Sequence, residues 1–271
     1  MKNLMTRHIL SLSGGKDSAA LAVYMRDRID NMEYVFNDTG KELPETYQYL
    51  DKIGDYLGRP VKRLNAGTTF DHWYEMYGGM IPSNHRRWCT KMLKLKPFEA
   101  YVGDAPVINY IGIRADENRK GYISHKPNIT PAYPFIDDGI ILADVKRILR
   151  DSGVGMPPYT EWGRTRSGCY FCFYQQKIEW VALLERHPDL FAKAEAYERE
   201  YKPTGNLFTW SNGEKLSDLK KPERVAQIRA DAARRAAAKK GKGKNMRLAD
   251  VFRREFEQDP EEESGCLVCS L

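Results

Sequence analysis

The chain lacks any apolar run approaching the roughly 20 residues a membrane-spanning helix needs. Its opening, MKNLMTRHIL, has no apolar stretch backed by a small-residue cleavage site. These absences argue against a membrane span and a secretory signal, and make the cytoplasm the expected location. The chain also lacks an even cysteine count: it has five. Without a secretion signal, an odd count argues against a disulfide framework and for metal, cluster or redox chemistry. There is no internal repeat, and neither GxxxxGK[ST] nor GxGxxG occurs, so the two commonest phosphate-binding fingerprints are excluded. What is present suffices for a real core: 271 residues, 42% apolar and 30% charged, fit one α/β domain plus an appendage and exclude disorder throughout. A net charge of +6 suits a polyanionic partner.

Hydrophobic periodicity alternates along the first half. His8 to Leu12 reads as a strand, SGGKDS as a loop and AALAVYMRDRI as a helix. MEYVFNDTG is a second strand, followed by a helix over ELPETYQYLDKIGDYLG with proline near its start and glycine at its end. VKRLNAG, TTFDHWYEMYG, CTKMLKLKPFEAYV and VINYIGI continue as strand, helix, helix and strand. This alternation predicts an α/β fold, a doubly wound parallel sheet that binds ligands beyond the carboxyl ends of its strands. RADENRKGYISHKPNITPAYPFIDDG is polar and proline-bearing and reads as an ordered active-site loop. ILADVKRILRDSG is helical, and two helices flank Pro188 in a helical appendage. The expected divisions are residues 1–155 for the nucleotide-binding domain, 156–216 for a cysteine knuckle and helices, and 217–271 for a basic helix, linker and cysteine-containing tail.

Consecutive glycines before a helix let backbone amides and the positive helix end meet a phosphate. The string SGGKDS, Ser13 to Ser18, resembles the pyrophosphate-binding (PP) loop of the ATP pyrophosphatases, or adenine nucleotide alpha hydrolases. VFNDTGKELPET and IGIRADENR resemble later blocks of the phosphoadenosine phosphosulfate reductase family within that superfamily. The resemblance runs from Arg7 to about Tyr201. It implies nucleotide contacts from Ser11, Ser13, Gly14, Gly15, Lys16, Asp17, Ser18, Asp38, Thr39, Gly40, Gly112, Arg114, Glu117 and Arg119, with Lys16, Asp17 and Arg114 in catalysis. Arg86 and Arg87 extend the anion pocket, since guanidinium forks grip phosphate in two places. ATP or a related adenine nucleotide is the implied ligand, with magnesium bridging its phosphates and Asp17 or Asp38 as indirect ligand.

Cys169 and Cys172 form one C-x2-C and Cys266 and Cys269 a second, while Cys89 stands alone in RRWCTKMLKLKP. Iron-sulfur members of the resembled family hold a 4Fe-4S cluster on a cysteine pair and a later C-x2-C. Here Trp88 replaces the first of that pair, so Cys89, Cys169 and Cys172 map onto the ligand set. A tail cysteine completes it, or one iron stays open for sulfur as in cluster-dependent tRNA thiolases. Four-thiolate zinc is the competing metal reading. The family's C-terminal Glu-Cys-Gly segment is replaced by SGCLVCSL, and the chain looks more like reductase-like proteins of DNA phosphorothioation, defence and mobile-element loci.

Three functions follow. The first is α-phosphate cleavage with sulfur transfer to nucleic acid. The second is thiol-dependent reduction of an adenylyl sulfate, and the third a non-catalytic nucleotide sensor in a defence complex. The basic stretch Lys220 to Lys244 is the expected DNA or RNA contact, and protein partners in a modification complex are implied by the resemblance.

Overall fold

The computed structural model describes residues 5–118, 126–201, 206–211 and 213–240. Arg119, Cys266, Cys269 and the stretch beyond Lys240 lie outside the described residues.

β1 (Arg7–Leu12) passes through Ser13, Gly14 and Gly15 into α1 (Lys16–Met25). β2 (Met32–Asn37), α2 (Pro44–Leu57), β3 (Lys62–Leu64) and α3 (Phe70–Met76) follow. Proline opens α2, and Gly58 closes it in the left-handed region at φ 63°, where a side chain would be strained. Thr69 caps α3 by accepting from the His72 amide at 3.1 Å. α4 (Trp88–Thr90) and α5 (Lys96–Val102) join through a widened helical turn over Lys91–Leu95, in which the Lys96 amide donates to the Lys91 carbonyl five residues back. Pro97 explains the widening: it has no N–H to continue the ordinary ladder, so the helix shifts register just before it.

β4 (Val107–Tyr110), β5 (Ile129–Ala132), α6 (Pro134–Asp137) and α7 (Leu142–Asp151) complete this part, with a tight turn over Pro158–Trp162. The strands form one parallel sheet in the order β3-β2-β1-β4-β5. The expected doubly wound arrangement is present, and the strand order reverses between β1 and β4. β5 departs from expectation, because in the sequence ITPA reads as part of a polar loop. Pro131 disguises it, and its position at the sheet edge is where a strand tolerates a residue with no amide hydrogen.

Both faces of the sheet are covered, so β1 is apolar on both sides. Leu10 and Leu12 pack among Ala19, Leu50 and Leu149, while Ile9 faces Val35, Phe98 and Val102. Described residues up to Tyr170 make one compact unit and those from Phe171 onward a second. The segment after residue 155 belongs with the first unit because Tyr159 donates to the Gly14 carbonyl at 3.1 Å and the Tyr170 amide to the Lys41 carbonyl at 2.9 Å.

The second unit contains α8 (Lys177–Arg186), α9 (Pro188–Glu195), an antiparallel pair β6 (Glu200–Tyr201) and β7 (Asn206–Leu207), α10 (Leu216–Leu219) and α11 (Pro222–Lys240). Phe171 stacks on Trp210 at 4.7 Å, and the Trp210 indole donates to the Ala194 carbonyl at 2.9 Å. Hydrogen bonds from Arg224, outweighing burial, and from Lys177 lower the Glu214 carboxyl to about 2. No helix among the described residues is long and apolar enough to cross a membrane.

Candidate nucleotide site

The reversal in strand order opens a crevice at the carboxyl ends of β1 and β4, the position where open α/β sheets hold ligands. Glycine lets the chain converge there. Gly14 has φ 72°, and a Cβ on it would stand 2.5 Å from Thr46 Cγ2. A Cβ on Gly112, just past β4, would meet the Asp17 backbone at 3.0 Å. Gly15 precedes α1 with no side chain to cap the helix, and its own amide donates to Ser13 Oγ at 3.3 Å.

Serines brace the loop. The Ser13 amide donates to Ser18 Oγ at 3.1 Å, Ser18 Oγ donates to the Gly15 carbonyl at 3.2 Å, and Ser167 Oγ donates to Ser13 Oγ at 3.3 Å. Ser11 does something else: fully buried, its hydroxyl donates to Asn109 Oδ1 at 2.9 Å and ties β1 to β4.

Charge gathers at the mouth. Asp17 pairs with Lys16 at 3.1 Å and Arg114 at 2.7 Å, and Arg114 also pairs with Asp116 at 2.8 Å and Glu117 at 2.7 Å. Burial disfavours the guanidinium's charge, but attraction to Asp17 and Glu117 more than offsets it and raises the Arg114 pKa. Arg114, 97 residues along the chain from Asp17, is thus brought onto the loop as the sequence pattern leads one to expect.

Asp38 shapes the turn after β2, accepting from the Gly40 amide at 2.8 Å and the Tyr47 hydroxyl at 2.7 Å. Thr39 Oγ1 donates to Glu42 Oε1 at 2.8 Å and lies 3.1 Å from Cys169 Sγ. Burial pushes the Glu42 carboxyl up, with Lys94 pulling it the other way. The Asn37 amide, Glu42 Oε2 and the Thr46 hydroxyl are buried with no hydrogen-bond partner among the described residues. Buried polar groups are normally satisfied, and these orphans at the end of β2 and the start of α2 lie beside the loop that carries Asp38 and Thr39.

Sequence reasoning missed Glu42, Thr46, Tyr159, Arg164 and Ser167. Thr39-Gly-Lys-Glu42 carried a signal, a hydroxyl three residues before a carboxyl. Tyr159 and Ser167 carried none, because their contacts with the loop span about 150 residues. Buried Arg164 donates to the carbonyls of Arg166 at 3.0 Å, Gly168 at 3.1 Å and Cys169 at 2.7 Å, shaping the turn that presents Cys169.

Cys89, Cys169 and Cys172 are half-buried and form no disulfide with one another. The division between the compact units falls inside the C-x2-C, after Tyr170. A mononuclear zinc centre gathers thiolates about 2.3 Å from one ion. No group of three or more His, Cys, Asp or Glu among the described residues is gathered in that way. The tail cysteines lie outside the described residues.

A parallel sheet with a serine- and glycine-braced loop at its switch point defines a nucleotide-binding α/β protein of the PP-loop type. Residues 7–130 match the family model of the phosphoadenosine phosphosulfate reductase domain. Two uncharacterized proteins of Methanocaldococcus jannaschii are each 28% identical, over 216 and 194 residues, or 73% and 68% of this chain. The chain spans 43% and 45% of their lengths. An uncharacterized protein of Escherichia phage 186 is 25% identical over 72% of this chain and 75% of its own. A crystal structure of phosphoadenylyl-sulfate (PAPS) reductase from Candida auris, a phosphate complex, aligns with a TM-score of 0.49 at 13% identity over 61% of this chain and 82% of that one.

Proposed function

We propose that the first unit binds ATP with its phosphates on Ser13 to Ser18 and cleaves it at the α-phosphate, activating an acceptor for sulfur transfer to nucleic acid in the cytoplasm. The observation that carries this is the Lys16–Asp17–Arg114 cluster, two cations held by one carboxylate at the uncapped amide end of α1. An acceptor oxygen attacks the α-phosphorus and the bond to the bridging oxygen of pyrophosphate breaks. Lys16 and Arg114 offset the charge that grows on the departing phosphates. Magnesium enters as part of the Mg-ATP substrate, since Asp17 is already engaged by both cations.

The same proposal assigns Cys89, Cys169 and Cys172, with a tail cysteine, to a 4Fe-4S cluster that would organise the site or deliver sulfur. Their half-exposed thiols support it. The alternative, thiol-dependent reduction of an adenylyl sulfate, is favoured by the domain match itself.

The test is turnover by anaerobically purified protein. Pyrophosphate release from Mg-ATP supports cleavage, sulfite release from an adenylyl sulfate with thioredoxin supports reduction, and nucleotide binding without either supports the sensor. Metal analysis of Cys89→Ala, Cys266→Ala and Cys269→Ala tests the cluster: about four irons per chain, lost in Cys89→Ala and in one of the two tail variants, is expected.

A further inference from the structure

We propose that the first unit also carries a docking surface for a single strand of DNA on α3 and the loop after it. The proposal rests on the reading that the acceptor is a nucleic acid. Five rings form a continuous ladder. His72 meets Trp73 edge-on at 5.2 Å, Trp73 lies 6.3 Å from Tyr77, Tyr77 stacks on Trp88 at 5.4 Å, and Trp88 packs on Phe70 at 4.8 Å. Phe70 and Trp88 are buried, Trp73 and Tyr77 half-buried, and His72 exposed, so the ladder is anchored in the core and ends at the surface. The Trp73 indole N–H is donated to Thr68 Oγ1 at 2.8 Å. That bond fixes the ring and leaves its π-face, not its polar edge, to a ligand. Met76, on the same helix, is 67% exposed.

Positive charge borders the ladder. Arg86 donates to Met80 Sδ at 3.0 Å, and the Met80 carbonyl accepts from Trp88 Nε1 at 3.1 Å, which sets the guanidinium beside the rings. Among the described residues no carboxylate pairs with exposed His85, Arg86 or Lys91. Of the acidic side chains on α3, Asp71 is neutralised by Lys41 at 2.7 Å and Glu75 has a polar contact of its own. The Lys41 bridge also fastens α3 to the loop after β2, at the carboxyl end of the sheet.

Ring faces beside unpaired cations suit a single strand, whose bases stack while its phosphates meet the cations; a duplex keeps its base faces hidden. The strand assigned is DNA, because Trp73, with its polar edge satisfied internally, offers the strand a ring face and no donor for a 2′-hydroxyl.

Fluorescence anisotropy of a labelled oligothymidylate of about 16 nucleotides with the full chain provides the test. Trp73→Ala is expected to weaken binding about tenfold or more, and Trp73→Phe to restore most of it. Arg86→Ala with Lys91→Ala should reduce the salt slope by about 1.4, or ~0.7 for each phosphate no longer neutralised. Binding that is absent, indifferent to Trp73, abolished only by Arg234→Ala and Arg235→Ala in α11, or stronger for RNA or duplex would overturn the proposal. Circular dichroism confirms that each variant folds. Basal pyrophosphate release from Mg-ATP, without added strand, is followed in parallel with Trp73→Ala, which leaves it unchanged. Strand binding that depends on Trp73 in a protein that does not cleave ATP keeps the surface and removes the chemistry; cleavage with strand binding indifferent to Trp73 does the reverse.

Discussion

The two ends of the sheet handle polar groups in opposite ways. At the amino end, Arg7 holds Glu33 with two hydrogen bonds of 2.7 Å, donates to the carbonyls of Tyr101 at 3.2 Å and Val102 at 3.4 Å, and lies 4.7 Å from the Tyr101 ring centre. The Tyr101 hydroxyl also donates to Glu33. Every polar group named there is spent on the fold. At the carboxyl end, one arginine faces three carboxylates, and buried groups of Asn37, Glu42 and Thr46 stay orphaned among the described residues. The same layers supply both ends. The proposed site therefore lies at the end whose hydrogen-bonding capacity the protein does not consume, at a cost in stability that the satisfied end helps to offset.

The sharpest way to break this contrast is Gly14→Ala. A left-handed residue costs about 1–2 kcal/mol, and the clash with Thr46 adds about as much. The loop should give way, with nucleotide affinity measured by titration calorimetry falling about a hundredfold.

Arg7→Ala attacks the other end. Its pair is only partly buried, so a loss of about 2 kcal/mol in urea unfolding is expected, below the range for fully buried pairs, with nucleotide affinity unchanged. Should affinity fall with stability, the two ends are not separate.

Arg114→Lys removes the planar fork but keeps the charge, and about a tenfold loss of affinity is expected with little change in melting temperature.

The smallest effect is pH dependence at the amino end. The Arg7 hydrogen bond lowers the Glu33 pKa despite burial, so its contribution is present above the ordinary value of 4.5 and fades as pH falls below it. Burial and the bond to Glu33 push Tyr101 up from 10.0 to about 12, so its contribution is whole below pH 10 and is lost as pH rises toward 12. Tyr101→Phe should flatten the alkaline arm of a stability profile and, because its hydroxyl also helps to lower Glu33, soften the acid arm.

Much of the contrast was legible in the residue pattern. SGGKDS, NDTG and GIR mark three loops at one end of a parallel sheet, and the structure brings Lys16, Asp17, Gly112 and Arg114 together there. Asp38 and Thr39 build the neighbouring turn, whereas Ser11 serves the sheet. β5 stayed hidden because proline contradicts strand propensity wherever its place in a sheet is unknown. Tyr159, Arg164 and Ser167 stayed hidden because their roles depend on closure of a long loop, for which local spacing carries no signal.

The borders of the sheet have a consequence for the protein's behaviour in a crowded solution. β3 is three residues long and carries Lys62 and Arg63, and β5 carries Pro131. A short charged strand and a strand missing a donor are poor templates for a strand from another molecule. Among the described residues the sheet has five strands, and partially opened copies of the chain should resist growing into one another edge to edge.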